Sequence, residues 1–191
     1  MDLGKNDSRS ARSRWMLSLG LLLGISIALN IFLGGKVITL RSAVARENRE
    51  AQLEVGAVVP PINVRTIDGH PTQIKFGGGD VPTVLYFFSP GCDTCERNVP
   101  NIKQLADIKK SEYKIIGLSL SEENLGDYAK KHDFNFPVYA GLGVETTLVY
   151  KLGRVPQTTV ISPDGRILAN WHGPYDGKLR PSIESFFHFR Y

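Results

Sequence analysis

Two cysteines, Cys92 and Cys95, sit two residues apart and are the only thiols in the 191-residue chain. Such a pair can staple a turn, hold a metal ion, or exchange disulfides. A staple closed over so few residues removes little entropy from the unfolded chain. A zinc site normally takes four ligands, and His70, His132, His172 and His188 offer no short ligand spacing to supply the rest. Two inert buried thiols would sit oddly in a turn. Disulfide exchange needs a thiolate that attacks and a second thiol within reach to resolve the mixed disulfide.

The flanking residues set the geometry for that chemistry. In "VLYFFSPGCDTCERNVP", residues 84 to 100, an apolar run meets Ser-Pro-Gly and then a helix-like segment. Cys92 therefore falls at the first turn of a helix, where unsatisfied N–H groups and the helix dipole favour an anionic sulfur. Cys95 follows one turn later on the same face, deeper in. Asp93, beside the first thiol, opposes a second negative charge, so the net sign stays open. Asp93 and Thr94, between the two sulfurs, are the residues expected to tune the redox balance.

These elements belong to an alternating pattern. "INVRTIDGHPTQIKF" predicts a hairpin turning at Asp68-Gly69, and "TVLYFF" a buried central strand. From Cys92 to about Lys110 the spacing of Val99, Ile102, Leu105, Ala106 and Ile108 predicts a helix. "YKIIGLSL" reads as a second buried strand, and Ser121 as the cap of a helix over "EENLGDYAKKH". "FPVYA" and "TTLVYKLG" give a short strand and helix. "TTVISPDGRILANW" is a hairpin turning at Pro163-Asp164-Gly165. A last helix is expected between Asp176 and His188, starting properly at Pro181. The order implies an α/β fold with a mixed central sheet flanked by helices and an N-terminal β-hairpin extension.

Residues 15–33, "WMLSLGLLLGISIALNIFL", carry no charge and have about the ~20-residue length needed to span a bilayer. The chain thus divides into a basic tail over 1–14, a transmembrane anchor over 15–33, a stalk over 34–52 and a globular domain over 53–191. A cleaved signal is the alternative, since "AVA" at residues 43–45 resembles a cleavage site, but it lies far beyond the apolar run. Residues 1–50 hold eight basic side chains against four acids, whereas residues 51–191 hold fifteen of each. The basic excess is therefore suited to lipid headgroups, and nothing in the domain calls for nucleic acid. Basic residues flank both ends of the span equally, so charge alone does not orient it.

The chain resembles the thioredoxin fold and, within it, the membrane-anchored TlpA/ResA-like thiol-disulfide oxidoreductases, over roughly residues 53 to 188. "VLYFFSPGCDTC" is similar to that family's strand-turn-CxxC. Pro100 is similar to the proline inside its active-site helix, and "RVPQTTVISPDGRI" to its cis-proline loop and hairpin. The resemblance implies that Pro156 packs against the disulfide, that the Val155 backbone holds the substrate chain, and that Pro100 helps to tune the site. It further implies that Cys92 attacks, that Cys95 resolves, and that no cofactor or metal is needed. Implied partners are protein disulfides or dithiols and a membrane electron donor for re-reduction. The implied location is the cytoplasmic membrane, single-pass, with the N-terminus cytoplasmic and the catalytic domain on the periplasmic side, often in the service of cytochrome c maturation. Two departures stand out. Gly91 replaces a large residue before the first cysteine, and Asn98 stands where relatives commonly carry an acid-base Glu. Glu96 is nearer the motif but faces another way. Two other classes share features: a peroxiredoxin-like thiol peroxidase, for which Ser89 and Arg154 fit loosely, and a Sco-like copper-delivery protein, whose cysteines are spaced one residue wider.

Overall fold

The computed structural model describes residues 23–27, 29–39 and 53–191. Two compact units meet in sequence at Glu50 and Ala51. In the first unit, residues 23–27 and 29–39 are helical (α1), and Leu23, Ile25, Ile27, Leu29, Ile31 and Phe32 are all exposed. Asn30 donates to the Ser26 carbonyl at 2.8 Å, so its amide is partly satisfied within the helix. Among the described residues no helix is long and apolar enough to cross a membrane. The expected tail, residues 15–22 and 28 of the expected span, and residues 40–52 of the stalk lie outside the described residues.

The second unit holds a seven-stranded sheet with the order β2-β1-β5-β4-β3-β6-β7. β1 (Ile62–Thr66) and β2 (Pro71–Ile74) form the N-terminal hairpin. Gly69 adopts φ 85° in its turn, a conformation that a side chain disfavours. β3 (Thr83–Phe88) runs parallel to β4 (Lys114–Ser119), which runs parallel to β5 (Val138–Ala140). β6 (Gln157–Ile161) is antiparallel to β3 and to β7 (Ile167–His172). The helices are α2 (Asp93–Lys109), α3 (Leu125–His132), α4 (Val144–Val149) and α5 (Arg180–Phe187).

Strand alternation divides the core in two. Val84, Tyr86 and Phe88 of β3 face α2, α3 and α5, meeting Ile102, Leu105, Tyr128, Ile183 and Phe187. Leu85 and Phe87 face the other way, into a cluster with Ile62, Val64, Ile116, Leu118 and Tyr150. β3 is thus buried on both faces, which is why it reads as an unbroken apolar run.

Two expectations are corrected. Ile108 is 47% exposed, and Lys109 takes the buried place beside it, its Nζ held 2.8 Å from Glu112. Counted at helical pitch from Val99, position 108 falls on the opposite face of the helix. Ser121 does not cap α3. Its hydroxyl accepts from Glu123 N in a short turn, and Asn124, in the left-handed region at φ 55°, delays the helix to Leu125.

Candidate active site

β3 ends in Ser89-Pro90-Gly91, and Gly91 takes φ 78°, bending the chain so that α2 can begin directly after Cys92. This explains one departure from the expected pattern, because a bulky residue would be strained at that backbone angle. Cys92 is the N-cap of α2. Its Sγ accepts the backbone N–H of Cys95 at 3.2 Å, and its carbonyl accepts Glu96 N at 2.9 Å. The Cys92 thiol is half-buried and can donate to the Val155 carbonyl across the site at 3.8 Å. Both cysteines are free thiols.

Cys95 is fully buried. Burial, followed by its hydrogen bond with Cys92, pushes the Cys95 thiol up to about 12. The two sulfurs are therefore unequal: one faces outward among N–H donors, and the other is held neutral behind it.

The remaining sequence-derived residues fall around this pair. Asp93 is exposed and Thr94 half-buried in the first turn of α2. Pro100 lies inside α2 and is exposed, leaving the Glu96 carbonyl without its usual N–H donor. The Val155–Pro156 peptide is cis; Val155 is half-buried and Pro156 buried. Ser89 turns its hydroxyl to the Pro90 carbonyl, and Arg154 is exposed. Glu96 is drawn away from the sulfurs by Lys131 at 2.6 Å and His132 at 2.9 Å. The Lys131 hydrogen bond holds its carboxyl below the usual range. Among the described residues no group of three or more His, Cys, Asp or Glu side chains is gathered as a metal site.

Three residues lie beneath the dithiol, of which the sequence marked only Asn98, as a departure from the family's Glu; Tyr86 and Tyr128 were not singled out. Asn98, fully buried, accepts Tyr175 N at 2.7 Å and Asn101 Nδ2 at 3.1 Å through its Oδ1. Tyr86 is also fully buried, and its hydroxyl has no hydrogen-bond partner among the described residues. Tyr128 on α3 is buried with an equally unpartnered hydroxyl. The available signal was a tyrosine inside an otherwise apolar buried strand, two residues before Phe88.

A β-strand, a Pro-Gly turn and a CxxC at a helix N-terminus, faced by a cis-proline loop, define a thioredoxin-fold dithiol protein. The chain belongs to the AhpC/TSA family, whose profile matches residues 55–170. It is 28% identical to methylamine utilization protein MauD of Methylophilus methylotrophus, over 76% of this chain and 77% of that one. It is 27% identical to thiol-disulfide oxidoreductase ResA of Bacillus cereus, over 66% of this chain and 74% of that one. The fold matches the thioredoxin domain of a Bacteroides vulgatus thiol-disulfide oxidoreductase with a TM-score of 0.58 at 22% identity, covering 71% of this chain and 99% of that one. It also matches StoA from Bacillus subtilis with a TM-score of 0.52 at 22% identity, covering 62% and 92% of the respective chains. The TlpA/ResA-like resemblance read from the sequence holds, and fold, dithiol and relatives together support thiol-disulfide oxidoreductase activity.

Proposed function

We propose that the chain is a membrane-tethered thiol-disulfide oxidoreductase that exchanges disulfides with extracytoplasmic proteins through Cys92. The observation that carries this reading is the inequality of the two sulfurs. Cys92 Sγ is half-exposed and receives the Cys95 N–H at 3.2 Å, while the Cys95 thiol is buried directly behind it. An attacking sulfur benefits from access and from donors that stabilise its negative charge. A resolving sulfur benefits from being shielded until the mixed disulfide has formed.

In the working direction as a reductant, the Cys92 thiolate attacks a substrate disulfide and displaces one substrate thiolate. Cys95 then attacks Cys92, releasing the second substrate thiol and leaving the protein oxidised by two electrons. A membrane electron donor restores the dithiol. Running the same steps backwards makes the protein an oxidant. Val155 would hold the substrate backbone through its carbonyl, which already faces Cys92, with Pro156 behind it. Asp93, Thr94 and Pro100 would set the potential. The uncharged, largely apolar run over residues 15–33 supports insertion into the cytoplasmic membrane. The domain would then stand on the periplasmic side, where disulfide chemistry persists and where cytochrome c maturation is a candidate pathway.

The test is substrate trapping. Cys95→Ser in cells should accumulate mixed disulfides that run as reducible bands on gels, whereas Cys92→Ser should accumulate none. Equal trapping by both variants, or trapping by neither, would overturn the assigned roles. A peroxidase would instead consume hydrogen peroxide rapidly through Cys92, so slow oxidation of the reduced protein by peroxide is the expected result.

A further inference from the structure

The resolving step has a difficulty. Cys95 must give up its proton to attack, yet it is fully buried, which disfavours a thiolate. Of the two carboxylates in the first turn of α2, Asp93 is exposed to solvent and Glu96 is engaged by Lys131 and His132. One turn beyond Cys95, the next inward residue is Asn98, an amide that cannot take up a proton.

Besides the Tyr128 hydroxyl on α3, two buried polar atoms near Cys95 have no well-formed hydrogen bond among the described residues. Asn98 Oδ1 accepts the Tyr175 backbone N–H at 2.7 Å, which only an oxygen can do, so the identity and direction of Asn98 Nδ2 are fixed. That Nδ2 has no partner among the described residues. Neither has the hydroxyl of Tyr86, which lies in the same core cluster as Cys95 on the strand beneath α2. The Asn98 amide is nevertheless near enough to interact with that hydroxyl as a hydrogen-bonding group, without well-formed geometry, and Cys95 lies within electrostatic reach of it. Tyr175 is not a competitor for the role, since its own hydroxyl is paired with Thr158 at 2.7 Å. Leaving a buried polar group without a full hydrogen bond is costly. With the amide on one side of it and Cys95 within electrostatic reach, the Tyr86 hydroxyl has a hydrogen bond to give and a sulfur to give it to when charge develops there.

We infer that the Tyr86 hydroxyl, oriented by the Asn98 amide, is the hydrogen-bond donor that stabilises negative charge on Cys95 Sγ as it attacks the mixed disulfide. The inference rests on the dithiol reading above. In this step the Cys95–Cys92 S–S bond forms and the Cys92–substrate S–S bond breaks. The departing substrate sulfur takes the electron pair of the broken bond, and the proton lost by Cys95 ends on that sulfur. Tyr86 keeps its own proton throughout: it donates a hydrogen bond and is not a base. Its value lies in being preset where charge develops, in a site that water does not reach. Asn98 acts through Tyr86 and is a positioning residue. The other titratable groups around Cys95 are Cys92 and Glu96 on α2, Tyr128 and His132 on α3, and Tyr175 ahead of α5.

The test uses the reduced, detergent-solubilised full chain and dithio-bis-nitrobenzoate as a chromogenic disulfide. Attack by Cys92 releases one coloured thiolate, and resolution by Cys95 releases a second, so the two steps appear as two phases. Tyr86→Phe removes only an oxygen that is already unpartnered, and the fold should tolerate it. It should slow the second phase by about tenfold or more, the worth of a hydrogen bond to a charged group. It should also move that phase's pH dependence upward while leaving the first phase unchanged. Asn98→Ala, which removes the amide donor without adding a base, should slow the second phase as well while leaving the first unchanged. Tyr128→Phe removes the rival hydroxyl and should change neither phase. An unaltered second phase in Tyr86→Phe, an equal slowing of both phases, or a larger effect from Tyr128→Phe would overturn the inference. Absence of any second phase in the unsubstituted chain would overturn the dithiol reading itself, and the inference with it.

Discussion

The sulfur of Cys92 lies 3.2 Å from the backbone nitrogen of Cys95, so the helix that carries the second thiol also donates to the first. One turn of helix therefore does two opposite things. Its free N–H groups stabilise charge on the outer sulfur, and its inward face buries the inner one among Phe88, Val99 and Ile102. The asymmetry follows from placing CxxC across a helix start, and it makes the first prediction.

Alkylation should separate the two thiols. With Cys95→Ser, iodoacetamide should modify the remaining Cys92 readily at neutral pH. With Cys92→Ser, the remaining Cys95 should react at least about tenfold more slowly, because both access and thiolate fraction are lost. Its rate should climb only at pH above the ordinary thiol range, because burial, the largest cause of the raised value, remains when Cys92 is gone. The folded value lies above the ordinary 9.0. The neutral thiol's contribution to stability is thus fully present below that ordinary value and is lost as pH rises through the folded one. Mass spectrometry after timed quenching gives both rates.

Gly117, in the middle of β4, should resist enlargement. A Cβ there would come within 3.1 Å of Phe136 and Val138 side chains and 3.3 Å of Phe88. These are packed ring and methyl groups of the core rather than flexible ends. Gly117→Ala should destabilise the domain by about 1–3 kcal/mol through overpacking. Urea denaturation followed by tryptophan fluorescence measures the loss; an unchanged midpoint would show that the aromatic cluster yields freely.

How much of this was legible beforehand depended on whether the cause was local. Both hairpins were readable because Asp-Gly turns between β-rich runs leave few alternatives. The dithiol and its helix were readable from strand, turn and spacing alone. The start of α3 was not, because Asn124 adopts a left-handed conformation that nothing in "SEENLG" announces. Ile108 was misplaced because it stands three residues after Leu105, a spacing that imitates the buried stripe although it falls off the face set by Val99 and Ile102. The network under Cys95 was out of reach for a different reason. Asn98 meets Tyr175 across 77 positions of sequence, and Tyr86 reaches the helix only because β3 lies beneath it. Asn98 therefore read as a missing acid when it is a clamp on the loop before α5.

Glu96 ties the first turns of α2 to the end of α3 through Lys131 at 2.6 Å and His132 at 2.9 Å. Its carboxyl is held below the usual range, chiefly by the Lys131 hydrogen bond. A depressed carboxylate contributes stability above its unfolded value and loses it as pH falls through the folded one. Because the groups are partly exposed, Glu96→Gln should cost only about 0.2–1 kcal/mol at neutral pH. The difference between the variant and the unsubstituted chain should vanish in acid below the ordinary carboxylate range. Paired urea titrations across that pH range check the sign, and a difference that grows in acid would refute it.

The cis-proline loop should depend on a side chain that follows it. Gln157 is fully buried, and its Nε2 donates to the Tyr150 carbonyl at 3.0 Å and to Asn170 Oδ1 at 3.1 Å. It thereby ties the end of α4 and the strand β7 to the residue after Pro156, fixing both ends of the segment that carries Val155. Gln157→Leu keeps the volume but strands a buried carbonyl and part of the Asn170 amide. The expected loss is about 1–3 kcal/mol of stability, the cost of leaving such groups unpaired. Exchange should suffer separately from folding, because the Val155 carbonyl that faces Cys92 at 3.8 Å would no longer be held in place. At a urea concentration where both proteins are still folded, the variant should reduce a peptide disulfide several-fold more slowly, with the deficit in KM rather than in kcat, since the loop holds the substrate and does not move its electrons. A deficit confined to kcat would place the loop in the sulfur chemistry instead of in substrate docking.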